Sequence, residues 1–253
     1  MPTFGFGAGA LYGTPLTDFQ GNAIANPTPV LFGTLQDVSV DISADVKELF
    51  GQNQFADAIG RGKAKITGKA KFARMNGLMI NSLFFGQTVT SSILADVNDT
   101  TGALIPTTPF QITPTVPNSG TWAADLGVRN AVGNPMVRVA SAPTTGQYSV
   151  AAGVYTFAAA DTGLNVFISY QYTAASTVAK TGTINNVAMG AAPTFQCDLS
   201  DGYLGSGLTL TLYKCLATKI AFATKQDDFM IPELDFSAFS NAAGQVLKWG
   251  TSE

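Results

Sequence analysis

A mainly β fold with one flanking helix is predicted for this 253-residue chain by three observations. Apolar and polar side chains alternate strictly over several runs, Gly and Pro (26 and 12 residues) punctuate those runs, and a single stretch carries an apolar period near 3.6. With 46% apolar and 12% charged residues, the chain has the apolar content to close a core and lacks the charge density of a disordered one.

Residues 1–34 are rich in Gly, Pro, Thr and Asn, and read as an extended arm with one or two short strands. The first clear element is "DVSVDISADV". Val38, Val40, Ile42, Ala44 and Val46 fall on one face, and Asp37, Ser39, Asp41, Ser43 and Asp45 on the other, which predicts a half-buried strand with an acidic polar face. The next stretch, "KELFGQNQFADAI" (47–59), loses the alternation and reads as a long loop around Gly51 and Asn53. Leu49, Phe50, Phe55 and Ile59 in it need cover, either from a second molecule or from the loop folding back on its own domain.

In "GRGKAKITGKAKF" the alternation returns with the opposite charge. Arg61, Lys63, Lys65, Thr67, Lys69 and Lys71 share one parity, while Gly62, Ala64, Ile66, Gly68, Ala70 and Phe72 share the other; six of the fourteen basic residues lie between Arg61 and Arg74. Such a face suits phosphate contacts, pairing with an acidic strand, or plain solvation. Asp37, Asp41 and Asp45 have the spacing to meet lysines across an antiparallel neighbour. From Arg74 to Phe85 the period changes, with Met75, Leu78, Met79, Ser82 and Leu83 on one side and Gly86 placed to cap a helix.

Past residue 88 the composition shifts to Thr, Ser, Ala and Pro, with short alternating runs such as "QYSV", "VYTF" and "NVFISYQYT". Residues 92–187 are therefore expected to form a small β-sandwich inserted into a discontinuous host domain, 1–91 with 188–253. Tyr148, Tyr155, Phe157, Tyr170 and Tyr172 alternate within it and read as its core, although a surface platform for sugars has the same spacing. Longer strands resume in "APTFQCDL", "LTLTLYKCLATKIAFAT" and "FMIPELDFSAF".

Several chemistries find no support. Histidine is absent, which removes His-based acid–base catalysis and Cys/His zinc sites. Cys197 and Cys215 read as buried thiols, and the one adjacent acidic pair, Asp227–Asp228, sits before a Pro-containing turn. "GFGAGALYG" has neither a strand before it nor a helix after it, so it reads as part of the terminal arm rather than a phosphate loop. No enzyme, metal or cofactor is expected. A formal net charge of −3 gives the whole molecule no attraction for DNA. The N-terminus lacks the pattern of a signal peptide and no apolar run approaches a membrane span, so a cytoplasmic protein is expected.

At "ELFGQNQFADAIGRGKAKITGKAKFARMNGLMINSLFFG" and "KQDDFMIPELDFSAFSNAAGQVLKW" the chain resembles the major tail tube proteins of long-tailed bacteriophages. The resemblance lies in an order of features: acidic strand, long loop, basic strand, single helix, variable insertion, closing strands. It spans roughly residues 30–92 and 190–253. It implies a tail-tube-type β-sandwich with a flanking helix, forming hexameric rings that stack into the conduit for DNA ejection. It implies further that the protein is made in the host cytoplasm, ends in the virion tail and carries its insertion outside. Its partners would be other copies of itself and the tape-measure, tail-tip and terminator proteins, with DNA passing through the lumen without tight binding and no membrane involved. The expected assembly interface comprises Asp37, Asp41, Asp45, Leu49, Phe50, Phe55, Arg61, Lys63, Lys65, Lys69 and Lys71. A surface-binding or adhesin-like β protein, with the insertion as its working part, is the alternative of another class.

Overall fold

In the computed structural model, which describes residues 7–74, 77–203 and 206–252, the stretch before residue 34 carries two short strands, in line with the one or two expected. Residues Ala10–Pro15 form strand β1, whose Leu11 is fully buried, and a two-residue strand, β2 (Val30–Leu31), pairs with it. Gly13 of β1 is glycine for a steric reason: a Cβ there would run into the Phe32 ring and the Leu83 side chain. Two long strands follow, β3 (Thr34–Phe50) and β4 (Ala56–Arg74), paired antiparallel along almost their whole length. They differ from the expectation in one respect: residues 47–59 are the far end of this ribbon, and the loop proper is only 51–55.

The expected helix is split. After β4 come α1 (Gly77–Ile80) and a π-helical turn over Asn81–Phe85, closed by Gly86 in the left-handed region (φ 62°), whose N–H donates to the Asn81 carbonyl five residues back. The Asn81 side chain holds that turn by bonding both main-chain groups of Gln87. Met79 and Leu83 are buried, Leu78 is exposed, and Met75 lies outside the described residues.

The chain divides into two compact units, Met1–Thr88 with Gly182–Glu253, and Val89–Thr181. A strand pair, β5 (Val89–Thr90) and β14 (Thr181–Gly182), stands where the chain passes between them. Within the second unit, β6 (Ser92–Val97), β7 (Ala103–Leu104), β9 (Thr121–Asn130) and β13 (Asn165–Ala175) form one four-stranded sheet. The other consists of β8 (Gln111–Ile112), β10 (Val137–Arg138), β11 (Gln147–Ala151) and β12 (Val154–Phe157). Both sheets contribute to one apolar core that contains Tyr148, Tyr155, Phe157, Tyr170 and Tyr172, so these rings are core residues and not a platform. At the polar edge of that core the Asp125 carboxylate, with only 3% of its side chain exposed, accepts hydrogen bonds from Tyr148 (2.7 Å) and Tyr155 (3.2 Å) and faces Arg138 at 3.6 Å. Burial, followed by Asp125, pushes the Tyr148 phenol far above its ordinary range.

The first unit is completed by β15 (Phe195–Tyr203), β16 (Ser206–Ala221), β17 (Glu233–Ala238) and β18 (Leu247–Ser252). All its strands belong to one eight-stranded antiparallel sheet in the order β2-β1-β15-β16-β17-β4-β3, with β18 on β16. One edge of β16 serves two partners in succession, β18 along 207–212 and β17 along 215–221. The core of this unit gathers Leu11, Phe32, Phe72, Leu83, Phe195 and Phe236 among others, and Cys197 and Cys215 are buried free thiols inside it. Burial pushes the Cys215 thiol up to about 12.

Candidate assembly interface

The β3–β4 ribbon has two halves, and the strand register shows where they divide. Between Lys65 and Lys71 the polar side of β4 meets the polar side of β3: Lys71 stands opposite Asp37, Lys69 opposite Ser39, Thr67 opposite Asp41 and Lys65 opposite Ser43. Only Asp37 of the three aspartates has a lysine across from it, and among the described residues no ion pair joins Asp37, Asp41 or Asp45 to a base. On its other edge β4 pairs with β17, and that strand brings Glu233 opposite Lys71 and Asp235 opposite Lys69. Here the charges do close: the Glu233 carboxylate lies 3.2 Å from Lys69, 3.8 Å from Lys71 and 4.0 Å from Lys219 of β16. The hydrogen bond from Lys69, against a smaller effect of burial, holds the Glu233 carboxyl below its ordinary value, and the nearby charges of Lys69, Lys71 and Lys219 add to this.

The basic strand is thus flanked by carboxylates of its own chain on both sides. Glu233 and Asp235 escaped the sequence reading, although their alternation with Leu234 and Phe236 in "PELDFSAF" was a strand signal that places both on the polar face. On the apolar face, Gly68 leaves the room that the Phe236 ring fills, since a Cβ at position 68 would overlap that ring.

Beyond Ala44 and Ala64 the ribbon changes character. A bulge gives β4 one residue more than β3, so Arg61 faces Val46 and falls out of phase with Lys65–Lys71. Lys63 and Asp45 sit in that bulge without register partners, hence the basic face is not continuous from Arg61 to Lys71. β17 has also ended: its last partner on β4 is Ile66. From there to Ala56 the two strands run unsupported for about 30 Å at the usual rise per residue. Val46 (60% exposed), Leu49 (65%), Phe50 (57%), Phe55 (83%) and Ile59 (68%) all lie in the open on this arm. In the sheet, β3 has β4 as its sole partner strand, which leaves one of its edges without a neighbour among the described residues.

A second apolar cluster was not anticipated. The connection between β16 and β17, residues 222–232, exposes Phe222 (51%), Phe229 (90%) and Met230 (45%). Since Glu233 pairs with Lys71 and the Pro232 carbonyl accepts from Phe72, this loop lies at the Arg74 end of β4, opposite the arm. Asp227 and Asp228 belong to the same loop, where Asp228 faces Lys225 at 3.8 Å in solvent.

Elsewhere the surface offers shallow grooves. One of about 360 Å³ in the second unit is lined by Arg129, Asn130, Val132 and Phe167 with their neighbours, and one of about 660 Å³ runs along Tyr213 and 244–249; neither is lined by an acidic residue. Among the described residues, no group of three or more Cys, Asp or Glu is placed to hold a metal ion, and no helix is long and apolar enough to cross a membrane. No family model matches the chain, and a search of curated proteins returns no significant match.

Proposed function

We propose that this chain is a structural protein that associates with copies of itself into rings, and that the rings stack into a tube of the kind that forms a phage tail and conducts DNA. The observation that carries this reading is the unsupported end of the β3–β4 ribbon. A free two-stranded ribbon is marginally stable in water, and one with large apolar side chains along it is an aggregation hazard unless something covers it. Its position on a sheet edge that lacks a neighbour among the described residues suits a subunit completed by association.

The charge pattern supports a conduit rather than a DNA-gripping protein. Lys69, Lys71 and Lys219 already share Glu233, and Asp235 and Asp37 stand beside them in register. Over this part of the sheet Asp37, Asp41, Glu233 and Asp235 balance Lys65, Lys69, Lys71 and Lys219, so the face carries no net positive charge to attract DNA.

Two measurements test the proposal together. Electron microscopy of the purified chain, alone or with a nucleating tail-tip protein, is expected to show rings or tubes; monodisperse single chains under both conditions would sink it. DNA affinity measured between low and moderate salt is expected to change little, whereas each phosphate contact would add about −0.9 to the log–log slope.

A further inference from the structure

We infer that the groove on the second unit binds a carboxylate carried on a single polar ring, and that the ligand class it fits is a uronic acid, a repeating unit of acidic polysaccharides. The site does not depend on the ring-forming reading, because all its residues belong to one compact unit. Arg129 of β9 stands opposite Phe167 of β13 in register, and its guanidinium lies over that ring, 5.7 Å from the centroid. Its Nη2 donates to the Asp99 carbonyl (3.1 Å) and to the Asn98 side-chain oxygen (3.5 Å), both uncharged acceptors. Asp99, the acid beside it, turns its carboxylate instead to the main-chain N–H groups of Thr101 (2.9 Å), Gly102 (3.0 Å) and Ile168 (3.1 Å). Among the described residues no carboxylate forms an ion pair with Arg129, and its Nε and Nη1 donors have no partner. The result is a guanidinium held in place by an aromatic ring and two neutral oxygens, with charge and donors left for a ligand.

The rest of the lining suits a hydroxylated ring. Asn130 fixes the adjoining turn, its Oδ1 accepting from the N–H groups of Val132 (3.1 Å) and Asn134 (3.0 Å), while its Nδ2 donors are free among the described residues. That amide and the Thr100 hydroxyl can bond ligand hydroxyls, and Ala131 with Val132, 84% exposed, offers an apolar flank to the C–H face of a ring. A volume of about 360 Å³ is at the small end for a ligand site and takes one ring rather than a chain of them. Charge selects the acid. One guanidinium neutralises a monoanion, and the planar fork matches a carboxylate with two parallel bonds. A phosphate dianion would keep an unbalanced charge beside Asp99. A shallow site with a single charged contact is expected to hold one ring with a dissociation constant of about 1 mM.

Saturation-transfer difference NMR tests this on the full chain in any state of assembly, because it observes the ligand. Sodium glucuronate, glucose and glucose 6-phosphate are titrated separately. The expected result is a saturable signal from glucuronate, with glucose and glucose 6-phosphate binding about tenfold more weakly, the loss that goes with a missing or mismatched charged hydrogen bond. Arg129→Gln should weaken glucuronate by a similar factor. Val132→Glu, at an open position, should do the same by placing a like charge in the groove, and it carries the test if circular dichroism shows Arg129→Gln to be misfolded. Lys248→Gln, in the groove along Tyr213, should leave binding unchanged. Absence of a glucuronate signal, glucose or glucose 6-phosphate binding as tightly, or full binding by the folded groove variants would overturn the inference. Microscopy of the wild-type chain keeps this reading apart from the previous one. Rings without glucuronate binding would remove the site and leave the tube, and binding without rings would keep the site and remove the tube.

Discussion

The two halves of the β3–β4 ribbon share one hairpin, yet they obey different rules. Near Thr34 and Arg74 the strands lie on the core: Ile66, Ala70 and Phe72 are buried, polar and apolar residues alternate, and β17 supplies a third strand. Past Ala44 and Ala64 the same two strands have no layer beneath them, and the alternation vanishes while the pairing continues to Phe50 and Ala56. Strict alternation is therefore the mark of a strand covered on one side, and not of a strand as such.

The largest test of this contrast is Phe72→Ala. Phe72 is fully buried beside Phe32, their ring centres 5.8 Å apart, so removing it is expected to cost about 3–5 kcal/mol in denaturant unfolding. A loss under about 1 kcal/mol would mean that the base is no better packed than the arm. An intermediate effect is expected of Glu233→Gln. The Glu233 carboxyl is held below its ordinary value of 4.5 in the fold, so its contribution is present above that pH and lost as the pH falls through the folded value. The variant should be less stable than the parent at pH 7, and the difference should shrink as the pH is taken below 4.5 in a series of urea titrations. A difference that persists in acid would assign the effect to packing instead. The smallest change is expected at Phe50→Ser, within about 0.5 kcal/mol of the parent when single chains are unfolded, because Phe50 is 57% exposed. Light scattering should show the same variant defective in assembly, and a large loss of single-chain stability would instead place Phe50 in the core.

What the sequence revealed follows the same division. The strand at Asp37–Val46 was legible because Val and Ile alternate with Asp and Ser, although only Val38, Val40 and Ala44 of that apolar face are partly covered while Ile42 and Val46 are exposed; the rings of Tyr148, Tyr155, Tyr170 and Tyr172 were legible as core because they alternate over a buried face. The arm read as a loop because nothing beneath it imposes a period, and two register shifts, after Ala44 and after Leu49, scramble what parity remains. The short strands expected in residues 1–34 could not be placed, since at Gly13 of β1 the missing side chain is replaced by Phe32 and Leu83 from elsewhere in the chain. The helix was seen but not its pitch: the turn closed from Gly86 to Asn81 depends on an Asn side chain bonding ahead to Gln87, which an average period does not reveal. Within the interface, the lysines were evident while their partner Glu233 was not, because it lies more than 160 positions away in the chain and is brought alongside only by β17.

The extra residue of β4 opposite Ala44 and Val46 also acts as a reading-frame break between two ledgers of mutation. On the Arg74 side, inserting one residue would turn every lysine toward Phe236 and every small residue toward solvent. On the arm side the frame is already broken, so a residue gained or lost between Val46 and Arg61 shifts only positions that no core constrains. Length and composition of the arm can then drift to suit whatever it touches, while the sheet that carries it stays fixed.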